Sequence, residues 1–388
     1  MKAEVFHPAE LSERDAQAWR AMCAATPPFR SPLLSPEFAQ LVGEIRDDAR
    51  VAVFREGTGT LGFLAHHRRP DGFARPIGAA FSDYHALITA PETPLKAEAA
   101  LAAAGVSALQ FAALVDPHGL FAGSSRDGEA GFLIEPGADG GYLERLKAAN
   151  PKRFKNWRRL QNKLEREAGE LVVTPGDTSA DAFELLMTWK RDQYRRTGAH
   201  DMYRPDWARA LLQRLFERRE GDLRGVMTTL RAGGKLVAGH FGPASGGVWH
   251  GWVSSISPDH AACGPGFVLM MHVPEVMRAL DLHAYDMAPS HDHYKAPFAT
   301  GQTRVREGLA LADSAAGRAV RQKESVWSLA GSQRVPALGR LRRRLDQIAA
   351  VELSAAGRVL GLVEAVTGYG RRCVHRRSGE AVAAREAA

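Results

Sequence analysis

The sequence predicts an α/β protein of two similar mixed-sheet domains in tandem, followed by a helical, basic tail. Three observations predict it. The order strand, turn, strand, helix, strand occurs twice, each time with a Gly-containing turn between the first two strands. At 388 residues the chain exceeds an ordinary single domain, so two domains and a tail are expected. Past Asp313 the strand pattern stops and alanine- and leucine-containing helical patterns replace it. The domains are therefore read as 1–145, 146–312 and a helical basic segment 313–370, with 371–388 as a disordered tail.

The first half opens with a helix around Leu11 to Ala24, then Pro27, Pro28, Pro32 and Pro36 punctuate a loop. Arg50 to Arg55 and Leu61 to Arg68 read as strands joined at Glu56 to Thr60. The segment Ser82-Asp83-Tyr84, a helix from Pro94 to Ala104 and an apolar strand near Ala108 to Val115 complete this half. Between the halves, Asn150-Pro151 forms a helix start, with Asn as N-cap and Pro at the first position. Phe154, Trp157, Leu160 and Leu164 then recur at helical spacing, and Gly169 ends the run. Two packing helices follow, Ala180 to Arg196 and one beginning at Asp206.

The second half repeats the order. Arg224 to Arg231, Leu236 to Phe241 and Val248 to Ser255 form a meander, a helix runs to Leu280, and His283 to Met287 is a short strand. One difference separates the copies. The second carries Gly264-Pro265-Gly266 before its helix, where the first has Ala90-Pro-Glu-Thr-Pro94. A glycine turn feeding a helix start presents backbone N–H groups without side chains in the way. Gly264, Gly266 and the N–H groups of Phe267 and Val268 are thus the expected cradle for a pyrophosphate, and the first copy is degenerate.

Charge and composition narrow the function. Hydrophobic residues at 45% and charged residues at 24% exclude a fibre and a largely disordered chain. No stretch reaches the length of apolar residues that a membrane span needs, and the N-terminus has no apolar signal region, so the expected location is the cytoplasm, including the inner face of the membrane. Three cysteines, Cys23, Cys263 and Cys373, are odd in number and far apart, which excludes a disulfide framework. The net charge of +7 is concentrated in two segments. Arg145 to Arg166 carries nine Lys/Arg against one Glu, and Ser314 to Ala388 carries fourteen against six acids. That pattern argues for local anionic contacts and against a surface built to coat DNA.

The basic helix KRFKNWRRLQNKLE, the meander, the Pro-Gly turn and the segment Asp286-Met-Ala-Pro-Ser-His-Asp-His-Tyr294-Lys295 resemble the GNAT-type acyltransferase domain of the cellulose-biosynthesis CelD group. That group is related to the two-domain FemAB-like transferases, and its own members are commonly found with bacterial exopolysaccharide and holdfast-type adhesin genes. The resemblance covers residues 145 to 310 well and the first half loosely. It departs at Ala261, where the usual loop has Gln or Arg, and at Ser290, where the group has glycine.

The resemblance implies N-acyl transfer, N-acetyl first among the possibilities, from acetyl-CoA or another acyl-CoA to an amino sugar of an exopolysaccharide or its precursor. It implies no metal, and a strand at Val248 to Ser255 that splays from its neighbour to meet the thioester. His250 is then a candidate base, with a neutral core histidine as the alternative. Asp286 orients or deprotonates the acceptor, or caps the turn after it. Tyr294 protonates the leaving thiolate, or packs as a core tyrosine. Lys295 contacts phosphate or pairs with Asp286 or Asp292. Arg153, Arg158 and Arg159 of the basic helix face a nucleotide-sugar or lipid-pyrophosphate acceptor, or are a solvated face. Arg340, Arg342, Arg343 and Arg344 bind an anionic membrane surface or a cyclic dinucleotide, or are likewise solvated. His291, Asp292 and His293 lack further ligands near them for a metal. Two other functions compete: a FemX-like transferase using aminoacyl-tRNA, and a non-catalytic regulator of polysaccharide synthesis.

Overall fold

The computed structural model describes residues 1–69, 72–197, 200–289, 294–329, 345, 348–354 and 356–363. The first half supplies β1 (Lys2–Phe6), α1 (Glu13–Ala25), α2 (Pro36–Gly43), β2 (Ala49–Glu56), β3 (Gly59–Arg68), β4 (Phe73–Pro76), β5 (Ile88–Thr89), α3 (Ala97–Ala103), β6 (Ala108–Leu114), β7 (Ser125–Asp127) and β8 (Gly131–Ile134). The second supplies α4 (Tyr142–Ala149), α5 (Pro151–Ala168), β9 (Leu171–Thr174), α6 (Ala180–Thr197), α7 (Asp206–Glu217), β10 (Arg224–Ala232), β11 (Lys235–Ser245), β12 (Val248–His250), β13 (Val253–Ile256), α8 (Pro265–Ala279), β14 (Ala284–Pro289), β15 (Gly301–Thr303), β16 (Arg306–Leu311) and α9 (Ala315–Leu329).

Among the described residues the strands form two mixed sheets of eight. One runs β1-β2-β3-β4-β6-β16-β7 with β5 on β3, and the other runs β15-β8-β14-β12-β11-β10-β9 with β13 on β11. The expected tandem α/β architecture is thus present. The sheets, however, exchange strands across the boundaries read at residues 145 and 312. β8 crosses into the second sheet to pair with β14, Asp286 opposite Leu133, and β16 returns to pair with β6, Leu309 opposite Gln110. Backbone pairing over more than a hundred residues leaves no local signal in the chain.

The halves share a core. Phe38 and Phe81 of the first half meet Trp207 and Trp252 of the second at ring-centroid distances from 5.6 to 6.0 Å. Burying each such ring contributes roughly 1.5–3 kcal/mol. This aromatic seam fixes the segment that follows Phe81 against β12.

The strand expected at Val248 to Ser255 is broken in two. Gly251 and Trp252 leave the ladder, and the Trp252 N–H donates to the Phe241 carbonyl at 3.0 Å. The bulge needs a glycine opposite. A Cβ on Gly242 would lie 1.9 Å from the His250 carbonyl oxygen, so the two backbones approach only because position 242 has no side chain. Gly242→Ala is expected to cost about 2 kcal/mol of stability and to lower the urea midpoint with m unchanged.

Asn150 departs from its expected capping role. Its side chain makes no cap, and its Nδ2 donates to the Pro297 carbonyl at 3.4 Å, while Pro151 does occupy the first turn of α5. Gly169, with φ +95°, ends α5 as the sequence implies. Residues 348–351 and 356–363 are helical or end a helix within the expected tail, whereas Arg340, Arg342, Arg343, Arg344, Cys373 and the tail 371–388 lie outside the described residues.

Candidate active site

The bulge divides two neighbouring strands. β12 pairs with β14 in parallel from Val248 opposite Ala284 to His250 opposite Asp286. The last bond between them is Gly251 N–H to the Asp286 carbonyl, 2.8 Å. Beyond it β13 pairs with β11 alone, so β13 and β14 diverge as a V. Ser257 N–H donates inward to the Val237 carbonyl at 2.8 Å. By the two-residue period, Val253 and Ser255 also turn to β11, and Ser254 and Ile256 turn their N–H groups into the V. Lysines meet both arms: Lys190 Nζ donates to the Ser254 carbonyl at 3.3 Å and Lys295 Nζ to the Met287 carbonyl at 2.5 Å. Backbone donors in a gap shielded by packed strands can stabilise a carbonyl oxygen as it gains charge.

At the apex stands His250, fully buried. Its Nε2 lies 2.9 Å from Asp83 Oδ2, and its Nδ1 lies 3.6 Å from Asp286 Oδ1, an ion-pair distance. Burial disfavours the imidazolium, but the carboxylates of Asp286 and Asp83 outweigh it and raise the pKa to about 9. His250 is therefore charged at neutral pH. The expected base titrating near neutrality, and its alternative, a neutral core histidine, are both replaced by a charged one, because two carboxylates meet at one ring.

Asp286 sits within β14 and is nearly fully buried. Its Oδ1 accepts from Tyr84 Oη at 3.1 Å and from the Ala288 N–H at 2.8 Å. The second bond spans two residues and supports Ala288 at φ +62°, so the carboxylate caps the local turn and also faces His250. Burial, with the Asp286 charge adding to it, lifts the Tyr84 hydroxyl well above its ordinary pKa, which keeps it a donor.

The glycine turn is narrower as a cradle than its sequence suggests. Gly264 adopts φ +58° and ψ +46° at the N-cap of α8, and its carbonyl accepts from Phe267 N–H at 3.0 Å and Val268 N–H at 3.3 Å. Those two donors are engaged within the first turn. A Cβ on Gly264 would meet Leu160 of α5 at 2.9 Å, so the glycine also lets the basic helix approach. Lys163 Nζ, on the same helix, donates to the Ala262 carbonyl at 3.4 Å. Gly266 occupies the second helical position, where a Cβ would meet Ile256 at 3.3 Å.

Arg153, Arg158 and Arg159 are exposed on α5, with Arg158 bonded to Gln161 and Arg159 to Asn156. Tyr294 is 40% exposed and meets Phe267 edge-on at 6.2 Å, so it is not the core residue of the alternative reading. Lys295 is at the Met287 carbonyl, which ties the end of β14. Asp292, like Ser290, His291 and His293, lies outside the described residues. Among the described residues no three His, Cys, Asp or Glu side chains are grouped to hold a metal ion.

A cleft of about 640 Å³ opens between the halves on the Asp286 side, lined by Tyr84, Asp286, Glu135, Gln302, Thr303 and Arg304 among others. In the sequence Asp83 and Tyr84 stand only as part of the connecting segment Ser82-Asp83-Tyr84. Their signal was an Asp-Tyr step directly after a buried aromatic segment, but their partners His250 and Asp286 stand 167 and 202 residues away.

Comparisons with known proteins bear on the fold. Residues 151–296 match the family described as the acetyltransferase (GNAT) domain. The match ends just past Lys295. Among solved structures, FemX superposes with TM-score 0.50 at 10% identity over 79% of this chain and 96% of its own. A tandem GNAT protein from the clavulanic acid biosynthesis pathway gives TM-score 0.45 at 13% identity, over 81% of this chain and 100% of its own. The C-terminal domain of a putative lysylphosphatidylglycerol synthetase from Agrobacterium fabrum gives 0.45 at 13%, over 79% and 95%. No curated protein matches the sequence.

Proposed function

We propose that this GNAT-type acyltransferase moves an acyl group, acetyl first among the candidates, from acyl-CoA to the amine of an amino sugar in an exopolysaccharide or its lipid-linked precursor. The observation that carries the reading is the V between β13 and β14, with the Ser254 and Ile256 N–H groups on one arm and His250 with Asp286 at its apex. The GNAT fold implies acyl-CoA as co-substrate. Gly266 and the basic residues of α5 supply an anion-binding neighbourhood for its phosphates.

The acceptor enters the cleft at Tyr84 and Asp286, where carboxylates and Arg304 together suit a ligand carrying many hydroxyls and an amine. The amine gives a proton to Asp286, its lone pair forms the C–N bond, and the C–S bond breaks. The departing thiolate takes a proton from Tyr294, whose ring meets Phe267 of α8. Arg153, Arg158 and Arg159 meet the phosphates of a lipid-linked acceptor. Such a reaction belongs in the cytoplasm or at the inner membrane face; no described helix is long and apolar enough to cross a membrane. The tail arginines Arg340, Arg342, Arg343 and Arg344 would add contact with an anionic membrane or a cyclic dinucleotide.

Purified protein incubated with labelled acetyl-CoA and deacetylated amino-sugar oligomers is expected to transfer label, and to bind coenzyme A in calorimetry. Absence of both overturns the reading. A second reading, transfer from aminoacyl-tRNA, draws on the exposed cations of α5. It requires tRNA binding that weakens steeply with salt, which filter binding decides.

A further inference from the structure

The first half lacks the glycine turn, yet it sends one short segment into the apex of the V. Asp83 follows Phe81, whose ring is set between Tyr203, Trp207 and Trp252. That packing leaves the Asp83 carboxylate 2.9 Å from His250 Nε2. The imidazole is fully buried, whereas the Asp83 side chain is 35% exposed. Asp83 does not line the acceptor cleft; Tyr84 and Asp286 do.

Among the described residues, the titratable and charged groups facing the imidazole are Asp83 and Tyr84 on the segment between β4 and β5, and Asp286 on β14. Tyr84 meets the ring edge-on at 5.6 Å, and its hydroxyl goes to Asp286. Among the described residues, Asp83 is the acceptor for Nε2. A buried imidazolium is costly unless its N–H groups are answered by charge, and Asp286 alone cannot answer both, since it stands on the Nδ1 side.

Resting on the acyl-transfer reading, we propose that Asp83 is a positioning residue for the reaction: a carboxylate from the first half that fixes the ring of His250 and directs its Nδ1 to Asp286, so that the site is complete only when the two halves are joined. Asp83 stands behind the His250 ring, off the lining of the acceptor cleft. It acts by holding the His250 ring between itself and Asp286, an arrangement that keeps the Asp286 side chain at the cleft in place to take the acceptor's proton. The proposal also gives the first half a duty other than binding acyl-CoA.

The test uses the full chain with Asp83→Asn and Asp83→Glu, thiol release from acetyl-CoA, and the His250 ring signals followed by NMR against pH. Asp83→Asn is expected to lower kcat about a hundredfold while KM for acetyl-CoA stays within twofold. Its His250 midpoint is expected to fall by at least about one pH unit from the wild-type value. Asp83→Glu, with the same charge, restores the midpoint and most of kcat. An Asn variant with wild-type kcat, or an unmoved His250 midpoint, overturns the proposal. The NMR arm stands without turnover: wild type that transfers no acyl group overturns the activity reading, whereas the midpoint alone reports on Asp83. A variant with lost near-UV CD is replaced by Asp83→Ser, read in the same two ways.

Discussion

An Asp286→Ala enzyme is expected to lose about a thousandfold in kcat, with KM for acyl-CoA little changed. The side chain makes three contacts that converge on the reaction: it receives Tyr84, receives the Ala288 N–H, and faces His250. Alanine removes all three and leaves the buried imidazolium with Asp83 as its remaining carboxylate. Breaking a buried charge pair from one side costs about 3–5 kcal/mol, so a lower Tm accompanies the lost rate. Asp286→Asn separates the effects. It keeps an acceptor for Tyr84 and Ala288 but can neither take a proton nor answer the charge of the imidazolium, so its kcat stays low while only the part of the Tm owed to those two hydrogen bonds returns. An Asn variant with wild-type kcat would remove Asp286 from the chemistry.

Acid is expected to unfold the protein steeply well above the carboxylate range. His66, His67, His85 and His240 are buried, and burial depresses their pKa values to about 4, 4, 3 and 4. A histidine held neutral in the fold contributes stability above its unfolded pKa near 6.5, and loses it as pH falls toward the folded value. Four such groups take up as many as four protons on unfolding, a slope approaching roughly 5 kcal/mol per pH unit. His250 has the opposite sign. Its folded pKa of about 9 gives stability that is complete below pH 6.5 and disappears as pH rises to 9, on the order of 3 kcal/mol. Urea midpoints against pH should therefore peak between about pH 6.5 and 8, with the acid limb the steeper. His85→Phe flattens the acid limb. A flat profile from pH 7 to 5 would show that these rings are hydrated in solution.

Much of the fold was legible because its elements are local. The helical spacing of Phe154, Trp157, Leu160 and Leu164 located α5, Gly169 marked its end, and the Gly-rich meander located β10 and β11. Asp286 was singled out from a family segment and stands at the apex. The turn Gly264-Pro265-Gly266 was seen as a helix start, and is one. Yet its Phe267 and Val268 N–H groups are engaged by Gly264, since N–H direction depends on the backbone angle at the cap. Asn150, a good N-cap by type, turned instead to Pro297.

The sequence by itself determined the two α/β halves, the basic helix, the glycine turn and the strand that carries His250. Each follows from side-chain period or from a residue's own backbone preference, which act over a few positions. The tertiary structure alone decided the strand exchange of β8 and β16, the break at Gly251, and the meeting of Asp83 and Tyr84 with His250 and Asp286. It also decided that His250 is charged. The charge of a buried ring is set by which carboxylates folding brings to it, and here one of the two comes from the other half of the chain.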